Sequence, residues 1–245
     1  RALGLEDPPK TLLDYFGGMA FSGGRVTCPV DDPTPLPDRE ISLEELSPDY
    51  YSRKDGLTLL AAGKIGDLGP GAGCDGPVAK IARDLVLVQD QETPVTLVDF
   101  KAGFEDSARG AVTGLDWAVM IVDPTTASLQ MAVNMRDMVE QIKADQLPAT
   151  AHLESLELVK QANQICLDAR INDIFFLLNR VPDQQVQSFL EEKLAEHDIH
   201  PLGVIPEDNH IPTAWLQGKP ILTDKTRQQA GEFLTRLEEA VNEHP

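Results

Sequence analysis

The sequence predicts an α/β protein with a doubly wound, mainly parallel sheet and helices on both of its faces. Two observations predict it. Five short apolar runs rich in β-branched and aromatic residues, at 57–62, 95–99, 117–123, 174–179 and 202–205, alternate with helical patterns at 78–89, 105–115, 126–144, 152–170 and 186–197. The runs are apolar throughout, as strands buried on both faces are, and strands of that kind alternating with helices form parallel sheets with right-handed crossovers.

Taken in order, residues 6–37 are rich in Pro, Gly and Asp, with an apolar patch at 11–16 that predicts a helix followed by an irregular connection. Ser42-Leu43-Glu44-Glu45 has the form of a capping box and predicts a short acidic helix. The regular alternation starts beyond Asp55. Leu147-Pro148 breaks the long helical stretch 126–170 into two helices. A last helix, about 224–241, closes the chain. The expectation is a single nucleotide-binding α/β domain over 1–245, with 1–55 as lead-in and 56–245 as the alternating core.

Composition excludes several classes of function. Forty Asp and Glu against 21 Lys and Arg give a net charge of −19, a field that repels phosphate backbones and anionic headgroups, so neither nucleic acid nor a membrane surface is expected as a partner. The longest apolar run, 117–122, is far short of the roughly 20 residues a spanning helix needs. The last helix carries more acidic than basic residues, and Phe233, Leu234, Leu237 and Val241 have the spacing of a core-facing helix rather than a membrane anchor. Three cysteines, Cys28, Cys74 and Cys166, without a C-x-x-C pair, point to a reducing compartment and hence the cytoplasm. The opening Arg1-Ala2-Leu3-Gly4-Leu5 has no Met and no charged leader, which predicts a chain whose beginning has been lost.

Chemistry gathers where the apolar runs stop. They end on Lys64, Asp99, Asp123-Pro124, Asn179-Arg180 and Pro206-Glu207-Asp208. In a parallel sheet these ends share one edge, so one ligand can touch several of them, although each alone reads equally as an ordinary polar loop. The run 95–110 is the most informative, because an apolar strand stops on a carboxylate and Ala102-Gly103 lets the backbone approach a phosphate closely.

Asp99-Phe-Lys-Ala-Gly-Phe-Glu-Asp-Ser-Ala-Arg-Gly110, Asp116-Trp-Ala-Val-Met-Ile-Val-Asp-Pro-Thr-Thr-Ala-Ser-Leu129, Leu178-Asn179-Arg180-Val181 and Gly203-Val-Ile-Pro-Glu-Asp-Asn-His-Ile-Pro212 resemble the CooC-type accessory ATPases. These serve nickel insertion into carbon monoxide dehydrogenase and belong to the MinD/ParA/nitrogenase iron protein superfamily, whose fold is P-loop NTPase-like. The resemblance covers about 61–212. It implies Asp99 as the Walker B carboxylate holding Mg²⁺ through water, and Gly103 as the pivot of a switch loop at the γ-phosphate. Asn179 would read adenine with its amide, and Pro206 and Asp208 would border the base; Lys101 and Arg180 complete the implied nucleotide-binding set. ATP or ADP with Mg²⁺ is the implied cofactor, and a homodimer and a client metalloenzyme are the implied partners.

Two departures qualify the carry-over. The Walker A pattern Lys-Gly-Gly-x-Gly-Lys-[Ser/Thr] is not in these 245 residues, so ATP hydrolysis is expected only if the intact protein carries it, and roughly one βαβ unit is expected to be missing. The family's Cys-x-Cys metal pair is reduced here to Cys74 in Gly73-Cys74-Asp75-Gly76. Two copies of Cys74 across a dimer would make a weak site for nickel or zinc. Cys28 and Cys166 read as structural.

Gly71-Ala72-Gly73-Cys74-Asp75-Gly76 also satisfies the dinucleotide fingerprint, with Asp99 at a fitting distance. Residues 65–70, however, separate it from the preceding strand, where the fingerprint needs its tight turn. Three functions are therefore carried forward. The first is a Mg-ATP nucleotide switch that matures a metalloenzyme; the second, a degenerate docking or metal-carrying scaffold; the third, a nicotinamide-dependent oxidoreductase.

Overall fold

The computed structural model of the protein describes residues 8–63, 74–88, 95–101, 103–219 and 223–243. It is an α/β structure in which parallel strands are joined by helices. Within the described residues the strands form three small sheets, and the chain divides into two compact units. One, here the hairpin unit, comprises Asp7–Leu115 and Asp145–Arg170; the other, the sheet unit, contains Asp116–Ala144 and Ile171–Pro245.

The hairpin unit begins with helix α1, Leu12–Tyr15, whose N-cap Thr11 accepts a hydrogen bond from the Asp14 N–H at 3.1 Å. The N–H groups of Leu12 and Leu13 donate to the carbonyls of Ala61 and Ala62. Strand β1, Glu40–Ser42, precedes an antiparallel hairpin of β2, Tyr51–Lys54, and β3, Leu57–Leu60. Asp55 and Gly56 both have positive φ, 51° and 80°, and close the hairpin in the two-residue turn that Asp-Gly favours. Only the second of these two strands is evident from the apolar run at 57–62.

Helix α2, Gly76–Asp84, then runs into strand β4, Val86–Val88, which pairs in parallel with β1. Leu12, Leu13, Met19, Val26, Leu36, Ile41, Leu43, Leu46 and Ile81 form the core between these elements. The helix also buries charge. Lys80, 2% exposed, donates to Thr27 Oγ1 at 2.6 Å and the Asp32 carbonyl at 3.0 Å, with Asp32 Oδ2 at 3.6 Å. Arg83 forks onto Asp84 at 2.6 and 2.8 Å, and Asp84 accepts the Leu36 N–H at 2.8 Å. These bonds order the Pro-rich connection by satisfying its backbone with helix side chains.

Four expectations are corrected in this unit. Residues 95–100 form no strand, and Val95 and Leu97 are 98% and 90% exposed. A β-rich run becomes a strand only where a neighbour offers ladder and cover. Here Leu85–Val88, expected as the end of a helix, takes the ladder beside β1 once Leu85 turns extended at the helix C-cap. Ser42 starts a turn rather than a helix: the Leu46 N–H returns to the Ser42 carbonyl at 3.0 Å, and Leu43 and Leu46 both enter the core. The helix expected over 105–115 is split into α3, Glu105–Ala108, and a 3₁₀ turn, Ala111–Gly114, because Gly110 adopts φ +84° between them. Helix α5, Leu156–Leu167, belongs to the same unit and is capped by Ser155.

The sheet unit consists of parallel strands β5, Trp117–Val122, β6, Asp173–Val181, and β7, Gly203–Pro206, in the order β5-β6-β7. The central strand is buried on both faces through Ile174, Phe175, Phe176, Leu177 and Leu178. Helix α4, Thr126–Lys143, packs on β5 and β6 and against helix α6, Gln184–Ala195. Thr125 and Asp183 cap the two helices by accepting the N–H groups of Ser128 and Val186. A short helix α7, His210–Leu216, follows β7 and leaves Trp215 exposed. Helix α8, Asp224–Glu243, lays Phe233 against Gly203 of β7. No helix among the described residues is long and apolar enough to cross a membrane.

Candidate functional site

In the sheet unit the carboxyl ends of the three parallel strands converge. The first strand gives way to Asp123-Pro124-Thr125, where the Asp123 N–H donates to Ser128 Oγ at 3.0 Å and ties the strand end to the first turn of α4. The central strand loses its regular ladder between Leu178 and Val181, and the intervening Arg180 has φ +55°. A side chain at such φ is strained by about 1 to 2 kcal/mol, and strain of this kind persists only where the surroundings impose it. The third strand ends at Pro206, paired with Val181, and the Glu207 N–H donates to the Val181 carbonyl at 2.9 Å.

This geometry brings four polar side chains together. The Asn179 amide donates to Asp123 Oδ1 at 2.9 Å. The Arg180 guanidinium stands between two carboxylates, 4.0 Å from Asp123 and 3.9 Å from Glu207. Asn179 keeps its carbonyl oxygen and a second N–H for a ligand, and Arg180 is an exposed cation at a strand end. Asp208 turns away from this group: it accepts the His210 N–H at 2.9 Å and faces the His210 ring at 3.1 Å. The His210 N–H above all holds the Asp208 carboxyl below the ordinary carboxylate range.

Asp99, Lys101 and Gly103 lie in the hairpin unit. Asp99 is exposed, and no hydrogen bond or ion pair joins it to another described residue. Its carboxylate is a hard oxygen donor of the kind Mg²⁺ takes through water, so the residue present fits that ion. Lys101 pairs with Asp75 at the start of α2. Gly103 has φ +112° and open space where a side chain would stand, which suits a backbone pivot. Ala102, Lys64 and the glycines at 71 and 73 fall outside the described residues.

Farther along, Arg109 pairs with Glu105 at 3.3 Å and approaches Asp106 at 3.9 Å. Burial opposes its charge, but the Glu105 contact outweighs that and raises its pKa. Cys74 is exposed, and Cys28, read from sequence as merely structural, is packed against Gly76. No local pattern announces that neighbour, since Cys28 sits in an aperiodic connection. Among the described residues no group of three or more His, Cys, Asp or Glu is placed to hold a metal.

No protein-family model matches the chain. It is similar to an uncharacterized ATP-binding protein of Methanocaldococcus jannaschii, 26% identical over 239 residues, 96% of this chain and 82% of that protein. A second uncharacterized ATP-binding protein of the same organism is 25% identical over 170 residues. The carbon monoxide dehydrogenase accessory protein CooC of Rhodospirillum rubrum is 25% identical over 150 residues, 60% of this chain. The matches span 54% of each of these last two proteins. Among solved structures, the cell division ATPase MinD of Pyrococcus furiosus aligns over 98% of this chain and 79% of its own, with 16% identity and a TM-score of 0.45. The MinC:MinD complex of Aquifex aeolicus aligns over 83% of this chain and 75% of its own, with 19% identity and a TM-score of 0.43.

Proposed function

We propose that this chain works as an ATP-binding, Mg²⁺-dependent nucleotide switch of P-loop NTPase type. The observation that carries the reading is the gathering of Asp123, Asn179, Arg180 and Glu207 at the carboxyl ends of three parallel strands, where open α/β sheets take their ligands. Similarity over nearly the whole chain to one protein described as ATP-binding supports it. Asn179 reads the purine edge with its amide, and Pro206 and Asp208 border the base. Asp99 would hold Mg²⁺, which would supply charge neutralisation at the phosphates, and the open backbone at Gly103 would let the following segment respond to nucleotide.

In its finer form the switch is cytoplasmic, dimerises and serves the maturation of a client metalloenzyme. Nickel or zinc held by Cys74 of two copies belongs to that finer form, and metal analysis of protein purified without chelator tests it. Calorimetric titration with Mg-ATP tests the core of the reading. The expected result is saturable binding that Asn179→Ala weakens about fivefold or more, the loss of a bidentate base contact being worth about 1 kcal/mol upward. Heat-free titrations, or an unchanged affinity in Asn179→Ala, refute it. In a phosphate-release assay of the intact protein, Asp99→Asn is expected to abolish turnover.

One observation favours a second reading, a docking scaffold without hydrolysis. Asn179 and Arg180 are already engaged by the protein's own carboxylates, an arrangement that stands without a ligand. The same titration separates the two, since the scaffold binds no ATP.

A further inference from the structure

Two thiols far apart in sequence, Cys28 and Cys74, both lie beside the start of α2 in the hairpin unit. Cys28 lies in the Pro-rich connection that Lys80 and Arg83 hold in place, and Cys74 lies two residues before the first residue of α2. Gly76 marks their approach. A Cβ added there would stand 2.5 Å from Cys28 Sγ and 3.2 Å from Cys28 Cα, so the Cys28 backbone runs directly against the start of the helix. Two residues of chain span at most about 7 Å, which keeps Cys74 within reach of the same spot. Burial is the largest influence on Cys28 and raises its pKa, whereas Cys74 is exposed. Cys166 stands apart on α5, half-buried and influenced by Arg83.

We propose that Cys28 and Cys74 form an intrachain redox pair that a peroxide closes to a disulfide. Cys74, the exposed partner, is the sulfur that meets the oxidant. Its thiolate attacks the peroxide O–O bond, giving a sulfenic acid and hydroxide. The Cys28 sulfur then attacks Cys74 Sγ; the S–S bond forms, the S–O bond breaks, and the departing hydroxide leaves as water with the thiol proton. Two thiols and one hydrogen peroxide thus become one disulfide and two waters. A thiol reductant reverses the step.

The bond would tether the approach to α2 to the connection around Cys28. Asp75, adjacent to Cys74, is the partner of Lys101, so the tether bears on the segment that holds Asp99 and Gly103. That consequence rests on the nucleotide reading; the bond itself does not, and thiol mapping tests it without ATP.

Folded protein is treated with a small excess of hydrogen peroxide, alkylated and digested, and its peptides are read by mass spectrometry. The expected result is a fall in free thiols from three to one, with a Cys28–Cys74 linked peptide that a reductant dissolves. Cys166→Ser is expected to retain the link. Cys28→Ser is expected to lose it and to accumulate a dimedone-reactive sulfenic acid at Cys74. Three surviving thiols, a link through Cys166, or a Cys74–Cys74 link between molecules on a non-reducing gel each overturn the proposal.

Discussion

Arg180 is held at φ +55°, where an L-residue is strained, and its ion pairs at 3.9 and 4.0 Å are too long and exposed to repay that strain. A place in the proposed nucleotide site accounts for its presence better than stability does. Arg180→Gly is therefore expected to raise stability by about 0.5 to 1 kcal/mol in urea denaturation while weakening Mg-ATP binding. Asp32 carries a pH dependence. Burial works against its charge, yet hydrogen bonds from Thr34 and Thr27 and the charge of Lys80 outweigh it and lower its pKa below 3.8. The unfolded chain therefore takes up this proton first as pH falls, so the stabilisation is complete above the ordinary value and vanishes as pH drops through the lowered one. Asp32→Asn is expected to be less stable than the wild-type protein at neutral pH and to approach it below about pH 4, as followed by circular dichroism across a pH series.

At the scale of elements, close backbone approach fixes the 3₁₀ turn against α2. A Cβ at Gly114 would lie 2.0 Å from the Arg83 carbonyl oxygen, a contact that only backbone movement relieves. Gly114→Ala is expected to destabilise by about 3 kcal/mol, the upper end of ordinary overpacking. Gly231, inside α8 with nothing near its Cβ position, is the counterpart, and Gly231→Ala should gain about 0.5 to 1 kcal/mol from helix propensity. The elements legible from sequence were those whose burial is local. The unbroken apolar runs of β5 and β6 and the 3.6-residue pattern of α4 name themselves. Val86–Val88 and 95–99 are chemically alike, and only the presence of β1 beside the first decides which becomes a strand. The Asp55-Gly56 turn was readable and would have given β2 as well. Asn179, Arg180 and Asp208 were legible as strand ends, but the bond from Asn179 to Asp123 depends on the register of β5 with β6, which no local pattern encodes. The meeting of Cys28 with Gly76 was hidden for the same reason.

Across the whole molecule, a net charge of −19 sets a background of self-repulsion. Among the described residues, exposed ion pairs such as Lys10–Asp49, Arg136–Asp198 and Lys193–Glu196 contribute little singly. Added salt shortens the reach of the repulsion from about 30 Å at 0.01 M to about 10 Å at 0.1 M. The urea midpoint is accordingly expected to rise with NaCl over this range, and a fall would mean that specific pairs outweigh the general field. The same field predicts no retardation of DNA in a gel-shift assay at low salt.

The two tryptophans of the chain, Trp117 stacked on Phe175 at 5.5 Å and Trp215 exposed just beyond the Asp208 turn, both fall in the unit that holds Asn179. Trp215, which follows the carboxyl end of β7, is thus an optical reporter on the side where a purine would dock, while Trp117, at the amino end of β5, is an internal reference at the far end of that strand. Ultraviolet emission recorded during a nucleotide titration, without dye or label, would show whether that edge is touched, and Trp215→Phe would tell which indole does the reporting.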